Sequence, residues 1–112
     1  MSCIFCDIVS GKLPAKKVYE NDYVLAFHDV EPQAPVHVLV VCKEHIANVS
    51  EIEEEKFFLV QEIFKAINEL AKTLNLKDGF RVVNNCGKKA GQTVDHVHFH
   101  VLAGRDFLWP PG

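Results

Sequence analysis

The feature that most restricts the fold of this chain is a seven-residue stretch, residues 96–102, that reads His-Val-His-Phe-His-Val-Leu. Polar and apolar residues alternate strictly, which is the pattern of a β-strand with one face in the core. The side chains of His96, His98 and His100 then project to one side, about 6.5–7 Å apart along the strand. Three titratable rings on one surface indicate metal binding, general acid–base catalysis or nucleophilic imidazole chemistry.

The other apolar segments predict a hairpin, two more strands and a helix. Residues 18–19 and 23–28 flank a turn at residues 20–22, which predicts the hairpin. A continuous apolar run at residues 37–42 and a short one at residues 80–83 predict strands. The order is hairpin, strand, helix, strand, strand. It predicts an α+β fold with an antiparallel sheet of about five strands, covered on one face.

The single long helix is expected between the strands at residues 37–42 and 80–83. Ser50, with Glu53 three residues later, has the spacing of a capping box at the start of a helix. The apolar stripe that follows consists of Phe57, Val60, Phe64, Ile67, Ala71 and Leu74, widened by Ile63 and Leu70. We interpret this stripe as core that packs against the sheet.

Size and charge exclude several classes of protein. At 112 residues the chain is too short for a dinucleotide-binding domain plus a substrate domain. Its net charge of -3 and the absence of a basic stripe argue against a nucleic-acid binder. The sequence has no apolar run long enough for a membrane helix, and residues 1–7 lack the features of a signal peptide. We therefore expect a cytoplasmic protein with reduced thiols, no membrane partner and no nucleic-acid partner.

Two cysteines near the start of the chain form a possible metal site. The Cys3-x-x-Cys6 spacing suits two thiolates on one tetrahedral Zn²⁺, but it supplies only half of the ligands. His45 and His96 are candidates for the other half. A redox role would need a strand–CxxC–helix setting that this segment does not provide. The alternative interpretation is a pair of buried structural cysteines.

A polar loop leads directly into the histidine segment. Residues 85–93 contain two glycines, which allow backbone N–H groups to approach an anion closely. Asn85, Gln92 and Thr93 add side-chain hydrogen-bond donors. The composition alone also fits an ordinary turn, but the adjacent histidines favour a phosphate-binding role.

Together these residues resemble the histidine triad (HIT) superfamily, and specifically its Hint branch. The motif His-φ-His-φ-His-φ-φ, in which φ is apolar, matches residues 96–102 at every position. Other segments that resemble Hint sequences, in order, are residues 4–5, 13–15, 26–30, 32–35, 37–41, 43–46, 85–93 and 109–112. The resemblance therefore covers nearly the whole chain and implies a single HIT domain over residues 1–112, with a short N-terminal helix.

The resemblance implies an activity and an assembly. Hint proteins bind purine nucleotides such as AMP and GMP and hydrolyse the phosphorus–nitrogen bond of purine nucleoside 5′-phosphoramidates, including amine and lysine adducts of AMP. The reaction passes through a nucleotidyl-histidine intermediate and needs no catalytic cofactor. The family implies a homodimer in which the long helix and its neighbouring strand join two sheets into one of about ten strands.

The resemblance also assigns residue roles. His98 matches the nucleophile, and His37 and His100 match the histidines that bind phosphate and orient the site, with His96 completing the catalytic set. Asp29 matches the carboxylate that holds the ribose hydroxyls. The remaining implied nucleotide contacts are Ile4, Phe5, Leu13, Phe27, His28, Val30, Asn85, Gly91, Gln92, Thr93 and Trp109, the last beside the partner's site.

The two cysteines also resemble those of bacterial HIT proteins. That resemblance implies a structural Zn²⁺ held by Cys-x-x-Cys, a downstream histidine and the first triad histidine. That pattern falls on Cys3, Cys6, His45 and His96, the set that the spacing suggested. Asp95 departs from the eukaryotic Hint pattern, where an aromatic residue is common, and Lys88–Lys89 make the loop more basic.

Two other functions remain open. One is hydrolysis of dinucleoside polyphosphates, against which the Trp-Pro-Pro-Gly tail at residues 109–112 argues. The other is a nucleotide-binding interaction protein with little turnover, since an intact site shows a capacity and leaves the cellular role open.

Overall fold

The computed structural model describes residues 3–112; residues 1 and 2, which begin the segment interpreted above as lacking a signal peptide, lie outside the described part. The strands are β1 (Lys17–Glu20), β2 (Val24–His28), β3 (Val36–Cys42), β4 (Arg81–Val83) and β5 (His98–Ala103), and the α-helices are α1 (Ile4–Val9) and α2 (Phe58–Thr73). Among residues 3–112, none of the helices combines the length and the apolar character needed to cross a membrane.

The strands form one antiparallel sheet in the order β1-β2-β3-β5-β4. The hairpin turn between β1 and β2 is closed by Asn21, whose Oδ1 accepts hydrogen bonds from the N–H groups of Tyr23 and Val24 at 2.8 and 2.9 Å. The predicted α+β fold, with five strands, one long helix and a short N-terminal helix, is confirmed. The strands at the two edges of the sheet are β1 and β4.

Both faces of the sheet are covered, so the prediction of one covered face is incomplete. The long helix α2 buries Ile63, Ile67 and Leu70 against one face. The apolar residues of the histidine segment, Val97, Phe99 and Val101, also belong to this core, as the alternation predicts. On the opposite face α1 packs Phe5 and Ile8 onto the sheet residues Leu25, Phe27, Leu39 and Val41. Successive side chains along β2 and β3 point to opposite faces of the sheet, so each strand contributes to both core layers.

The predicted capping box is wrong. Ser50 lies inside a short 3-10 helix, Val49–Glu51, that is capped by Asn48. The Asn48 Oδ1 accepts hydrogen bonds from both the backbone N–H and the hydroxyl of Ser50, at 3.0 and 2.6 Å, so this hydroxyl is engaged as a donor. A second 3-10 helix, Glu54–Lys56, follows, and α2 begins at Phe58.

The buried face of α2 is rotated from the predicted stripe. Leu59 and Ala66, which lie outside that stripe, are buried, whereas Phe57 and Phe64 are 50% and 44% exposed. The apolar surface of α2 is wider than the sheet that it covers. Its uncovered flank lies toward β5, because Phe64 contacts Phe99 with ring centroids 5.7 Å apart.

Candidate active site and metal centre

Strand pairing places three histidines on the α1 face of the sheet. In β5, His98 pairs with Val41 of β3 and His100 pairs with Leu39. His37 lies two residues before Leu39 and therefore shares that face. The rings of His98 and His100 have centroids 5.2 Å apart, and those of His37 and His100 are 5.1 Å apart.

Backbone contacts fix the tautomer of His98. Its Nδ1 lies 2.7 Å from the carbonyl oxygen of His96, and because a carbonyl only accepts, Nδ1 carries the hydrogen. The Nε2 atom of a neutral His98 then keeps its lone pair. Sequence reasoning missed the next contact: Asn84, at the end of β4, donates from Nδ2 to the carbonyl of His98 at 2.9 Å. This contact ties the end of β4 to His98.

The tautomers of His37 and His100 follow from one backbone donor. The N–H of Gln33 donates to Nδ1 of His37 at 3.0 Å, so the hydrogen of a neutral His37 lies on Nε2. That Nε2–H faces Nδ1 of His100 at 2.9 Å and the Asp29 carboxylate at 3.4 Å. His100 consequently carries its own hydrogen on Nε2, where it can be donated to a ligand.

Burial keeps these two rings neutral. Desolvation is the main cause that lowers the pKa of His100 to about 4, and His98 and His37 act in the same direction. Desolvation also lowers the pKa of His37, against an opposing effect of the Asp29 carboxylate. At neutral pH the pair is a directed chain of hydrogen-bond donors.

A cleft of about 1160 Å³ opens beside His98. Nine of the implied nucleotide contacts line it: Ile4, Phe5, Leu13, Phe27, His28, Asp29, Val30, Thr93 and His98. The same wall includes Ile8, Pro14, Ala15, Lys16, Glu31, Leu39 and Val94, which sequence reasoning did not assign. One end is apolar, and the ring of Phe5 packs edge-on against Phe27 and His98 at 5.7 and 5.0 Å. The cleft therefore suits a flat apolar group with a polar extension.

In the loop at residues 85–93, the Gln92 side chain does not have the role of ligand donor that the sequence suggests. Gln92 is buried, and its side chain is occupied within the protein: Oε1 accepts from Gly87 N, and Nε2 donates to the carbonyls of Ala47 and Val94. It holds the loop in shape and has no free donor for a ligand. Asn85 and Gly91 lie beside each other and do not line the cleft.

Trp109 does not line the cleft of its own protomer. Its side chain is 84% exposed, in a tail whose Leu108 carbonyl accepts a hydrogen bond from Arg81 Nη2 at 2.9 Å. This position leaves open the implied role beside a partner's site.

Four candidate metal ligands converge at the N-terminus of α1. Nδ1 of His96 lies 3.3 Å from the Cys3 Sγ, 3.6 Å from the Cys6 Sγ and 3.2 Å from Nδ1 of His45. The four ligand atoms all lie within 4.8 Å of one another. A tetrahedral Zn²⁺ with its usual bond lengths places such atoms about 3.3–3.7 Å apart.

The chemistry of the donors fits a cation. His96 Nε2 donates to the carbonyl of Cys42 at 2.7 Å, so His96 Nδ1 turns a lone pair toward the two thiols. Burial and the neighbouring Cys3 thiol raise the pKa of Cys6, and a cation is what stabilises two adjacent thiolates. The residues present therefore fit Zn²⁺.

A second group, Asp29, His37 and His100, also brings its ligand atoms within 4.8 Å of one another. In the cysteine cluster a histidine lone pair faces the other ligand atoms, but here the N–H of Gln33 occupies the Nδ1 lone pair of His37. The Nε2 of His37 therefore points into this group as a hydrogen-bond donor. A metal at this position would displace the hydrogen that joins His37 to His100. We therefore assign this group to hydrogen bonding.

Comparison with known proteins agrees with this geometry. The family model described as HIT domain matches residues 10–107. The chain belongs to the HIT family. An uncharacterized HIT-like protein of Synechococcus elongatus is 46% identical over 109 residues, 97% of this chain and 96% of the relative. The predicted resemblance to the superfamily is confirmed.

Two solved HIT structures extend the comparison. A HIT family hydrolase from Legionella pneumophila superposes with a TM-score of 0.96 and 40% identity, covering 99% of this HIT chain and 100% of its own. A histidine triad nucleotide-binding protein from Candida albicans has a TM-score of 0.84 and 34% identity, covering 99% and 85% of the respective chains. Both superpositions cover 99% of this chain.

The buried histidine pair predicts a pH-dependent stability. The pKa of His100 is about 4 in the folded protein and 6.5 without burial, so the unfolded chain binds a proton first as the pH falls. Stability is therefore lost between pH 6.5 and about 4. We expect a loss of about 1–3 kcal/mol, since one pKa unit corresponds to about 1.4 kcal/mol. Urea unfolding at pH 7.5, 5.5 and 4.5 measures it, and equal pH slopes for wild type and His100→Gln would contradict the assignment.

Proposed function

We propose that this HIT protein is a nucleotide-binding hydrolase that cleaves the phosphorus–nitrogen bond of purine nucleoside 5′-phosphoramidates. The observation that carries the proposal is the ring of His98, which lines the cleft and donates its Nδ1–H to the His96 carbonyl at 2.7 Å. This arrangement leaves a neutral imidazole nitrogen available for attack on phosphorus. The Legionella relative is described as a hydrolase and the Candida relative as a nucleotide-binding protein, which supports this reading.

The shape of the cleft supports a nucleoside. A purine would lie at the apolar end, against Phe5, Phe27 and Ile4. Asp29 is held by the N–H of Glu31, which donates to Oδ1 at 2.8 Å, and its carboxylate retains acceptor capacity for two ribose hydroxyls. The α-phosphate would then reach the polar end, which His98 and Thr93 line, with the ring centroid of His100 5.2 Å from that of His98.

The reaction would proceed in two balanced steps. The Nε2 lone pair of His98 attacks the α-phosphorus, a P–Nε2 bond forms, and the P–N bond to the amine breaks as the leaving nitrogen takes a proton from solvent, which regains one in the second step. Water then attacks the same phosphorus, loses a proton and displaces His98, giving the nucleoside monophosphate. The Nε2–H of His100 stabilises negative charge on the phosphoryl oxygens in both steps.

Cys3, Cys6, His45 and His96 would hold a structural Zn²⁺. When bound, the ion would neutralise two thiolates and tie α1 to the segment that precedes β5. The chain's own residues perform the chemistry, because the carbonyl of His96 orients His98 while the ring of His96 faces the thiols.

The proposed activity predicts the effect of removing the nucleophile. Wild-type protein should release AMP and ammonia from adenosine 5′-phosphoramidate, and His98→Ala should lose at least about 1000-fold in turnover, because no other group forms the covalent intermediate. The variant should still bind AMP in calorimetry. Full activity in His98→Ala would refute the mechanism. If wild type binds AMP but shows no turnover, the activity is wrong, and dinucleoside polyphosphates or a binding role become the alternatives.

The metal centre predicts one zinc per chain. Elemental analysis should find about one zinc atom in wild type and in His98→Ala, and a loss in Cys6→Ser, with Cys86→Ser as the matched control. Cys86 lies outside the cluster. Cys6→Ser should also weaken AMP binding, because α1 carries both the thiols and Phe5, which contacts His98. Equal zinc content in Cys6→Ser and Cys86→Ser would exclude the site.

We also propose a homodimer formed through α2 and β4. Phe57, which precedes α2, and Val60 and Phe64 of α2 form an apolar flank, and Phe64 contacts Phe99 of β5, the strand that pairs with the edge strand β4. Phe80, just before β4, is 38% exposed. An exposed apolar patch beside an unpaired strand edge is typical of an interface.

Light scattering tests the dimer. Wild type should have about twice the mass of the 12.6 kDa chain. Phe64→Glu should give monomers, because a carboxylate in an apolar interface is strongly unfavourable. Phe58→Glu is the matched control, since Phe58 lies on the opposite flank against Tyr23, with centroids 5.3 Å apart. Circular dichroism checks that both variants fold, and a monomeric wild type would contradict the assembly.

A further inference from the structure

The segment after β5 packs directly on the loop that controls His37. Gly104 has a φ of +94°, and a Cβ at this position would lie only 2.8 Å from the Cβ of Pro35. A side chain is therefore excluded on two grounds, conformation and space. The contact brings Gly104 and Arg105 against Pro35 and Gln33.

Arg105 uses this proximity to hold the loop. Its Nε donates to the carbonyl of Gln33 at 3.1 Å, and its Nη1 donates to the carbonyl of Asp106 at 3.0 Å. The guanidinium lies 4.2 Å from the ring centroid of Phe107, which also contacts the guanidinium of Arg81 at 5.1 Å. These contacts orient Arg105 even though it is on the surface.

Gln33 is held at both ends of its backbone. Its carbonyl accepts from Arg105, and its N–H donates to Nδ1 of His37 at 3.0 Å. The Gln33 side chain bonds only within the loop, to the carbonyl of Glu31. Arg105 is thus connected to His100 through Gln33 and His37, and it does not line the cleft.

We propose that Arg105 is a positioning residue for the hydrolase reaction: by holding Gln33 it keeps His37 in the Nε2–H tautomer, so that His100 presents Nε2–H to the substrate. The inference rests on the proposed function. Without the Gln33 donor, His37 can carry its hydrogen on Nδ1. Its Nε2 then accepts from His100, and His100 turns a lone pair toward the phosphoryl oxygens. That reversal removes a donor where negative charge develops.

The expected kinetic effect is on kcat. Arg105→Ala should lower kcat for adenosine 5′-phosphoramidate about five- to tenfold, the size of one net hydrogen bond, with KM changed less than about twofold. Arg105→Lys should recover part of kcat, because an ammonium can reach the same carbonyl. Thermal unfolding establishes that each variant is folded.

A spectroscopic readout separates positioning from general packing. Nitrogen-15 NMR of the imidazoles distinguishes a protonated Nδ1 from an unprotonated one, so it reports the His37 tautomer directly. Arg105→Ala should move His37 toward the Nδ1–H form. Arg81→Ala is the matched control: it removes the other guanidinium from Phe107 without touching Gln33, and it should leave the His37 signal unchanged.

Two results would overturn the proposal. One is an unchanged His37 tautomer in Arg105→Ala. The other is an equal shift in Arg105→Ala and Arg81→Ala, which would assign the effect to packing around Phe107. If the wild type shows no turnover of the phosphoramidate, the proposed function fails, while the His37 signal still decides whether Arg105 sets the tautomer.

Discussion

The site depends on His96, a residue that belongs to two centres at once. Its ring donates to the Cys42 carbonyl and turns the other nitrogen toward Cys3, Cys6 and His45, while its own carbonyl accepts the Nδ1–H of His98. The orientation of the His98 ring is therefore set by the backbone of a residue whose own ring belongs to the candidate metal cluster. A displacement of His96 would disturb both the candidate metal cluster and the orientation of His98, because its ring belongs to the cluster and its carbonyl holds His98.

The alternation of residues 96–102 was sufficient to predict the strand, its apolar face and the clustering of histidines. The sequence could not show that β5 begins at His98, which leaves His96 in a bend where its ring meets α1 residues ninety positions earlier. Gln92 shows a related limit. The polar composition of its loop predicts that its side-chain amide binds a ligand, but this amide is hydrogen-bonded to three backbone groups of the protein. Contacts between residues that are far apart along the chain leave no periodic pattern in the sequence, so they could not be predicted from it.

Other groups were missed because they act through the main chain. Gln33 and Arg105 influence His37 by a backbone N–H and a contact to a backbone carbonyl, and Asn84 contacts the carbonyl of His98. Two asparagines stand together at residues 84 and 85, and nothing in the pattern indicates which one turns toward β5. The predicted α2 stripe is confirmed only in part: Ile63, Ile67 and Leu70 are buried in the core, whereas Phe57 and Phe64 stay about half exposed.

Neutrality is what allows several imidazoles to work in one small space. A cationic cluster would attract a phosphate more strongly in the ground state, but a protonated His98 would have no lone pair for attack. Burial lowers the pKa of His37 and His100, and each ring then offers one donor in a direction fixed by its partner. For the proposed reaction, the protein would thus forgo part of the ground-state attraction for an anion and keep His37 and His100 as neutral, oriented hydrogen-bond donors.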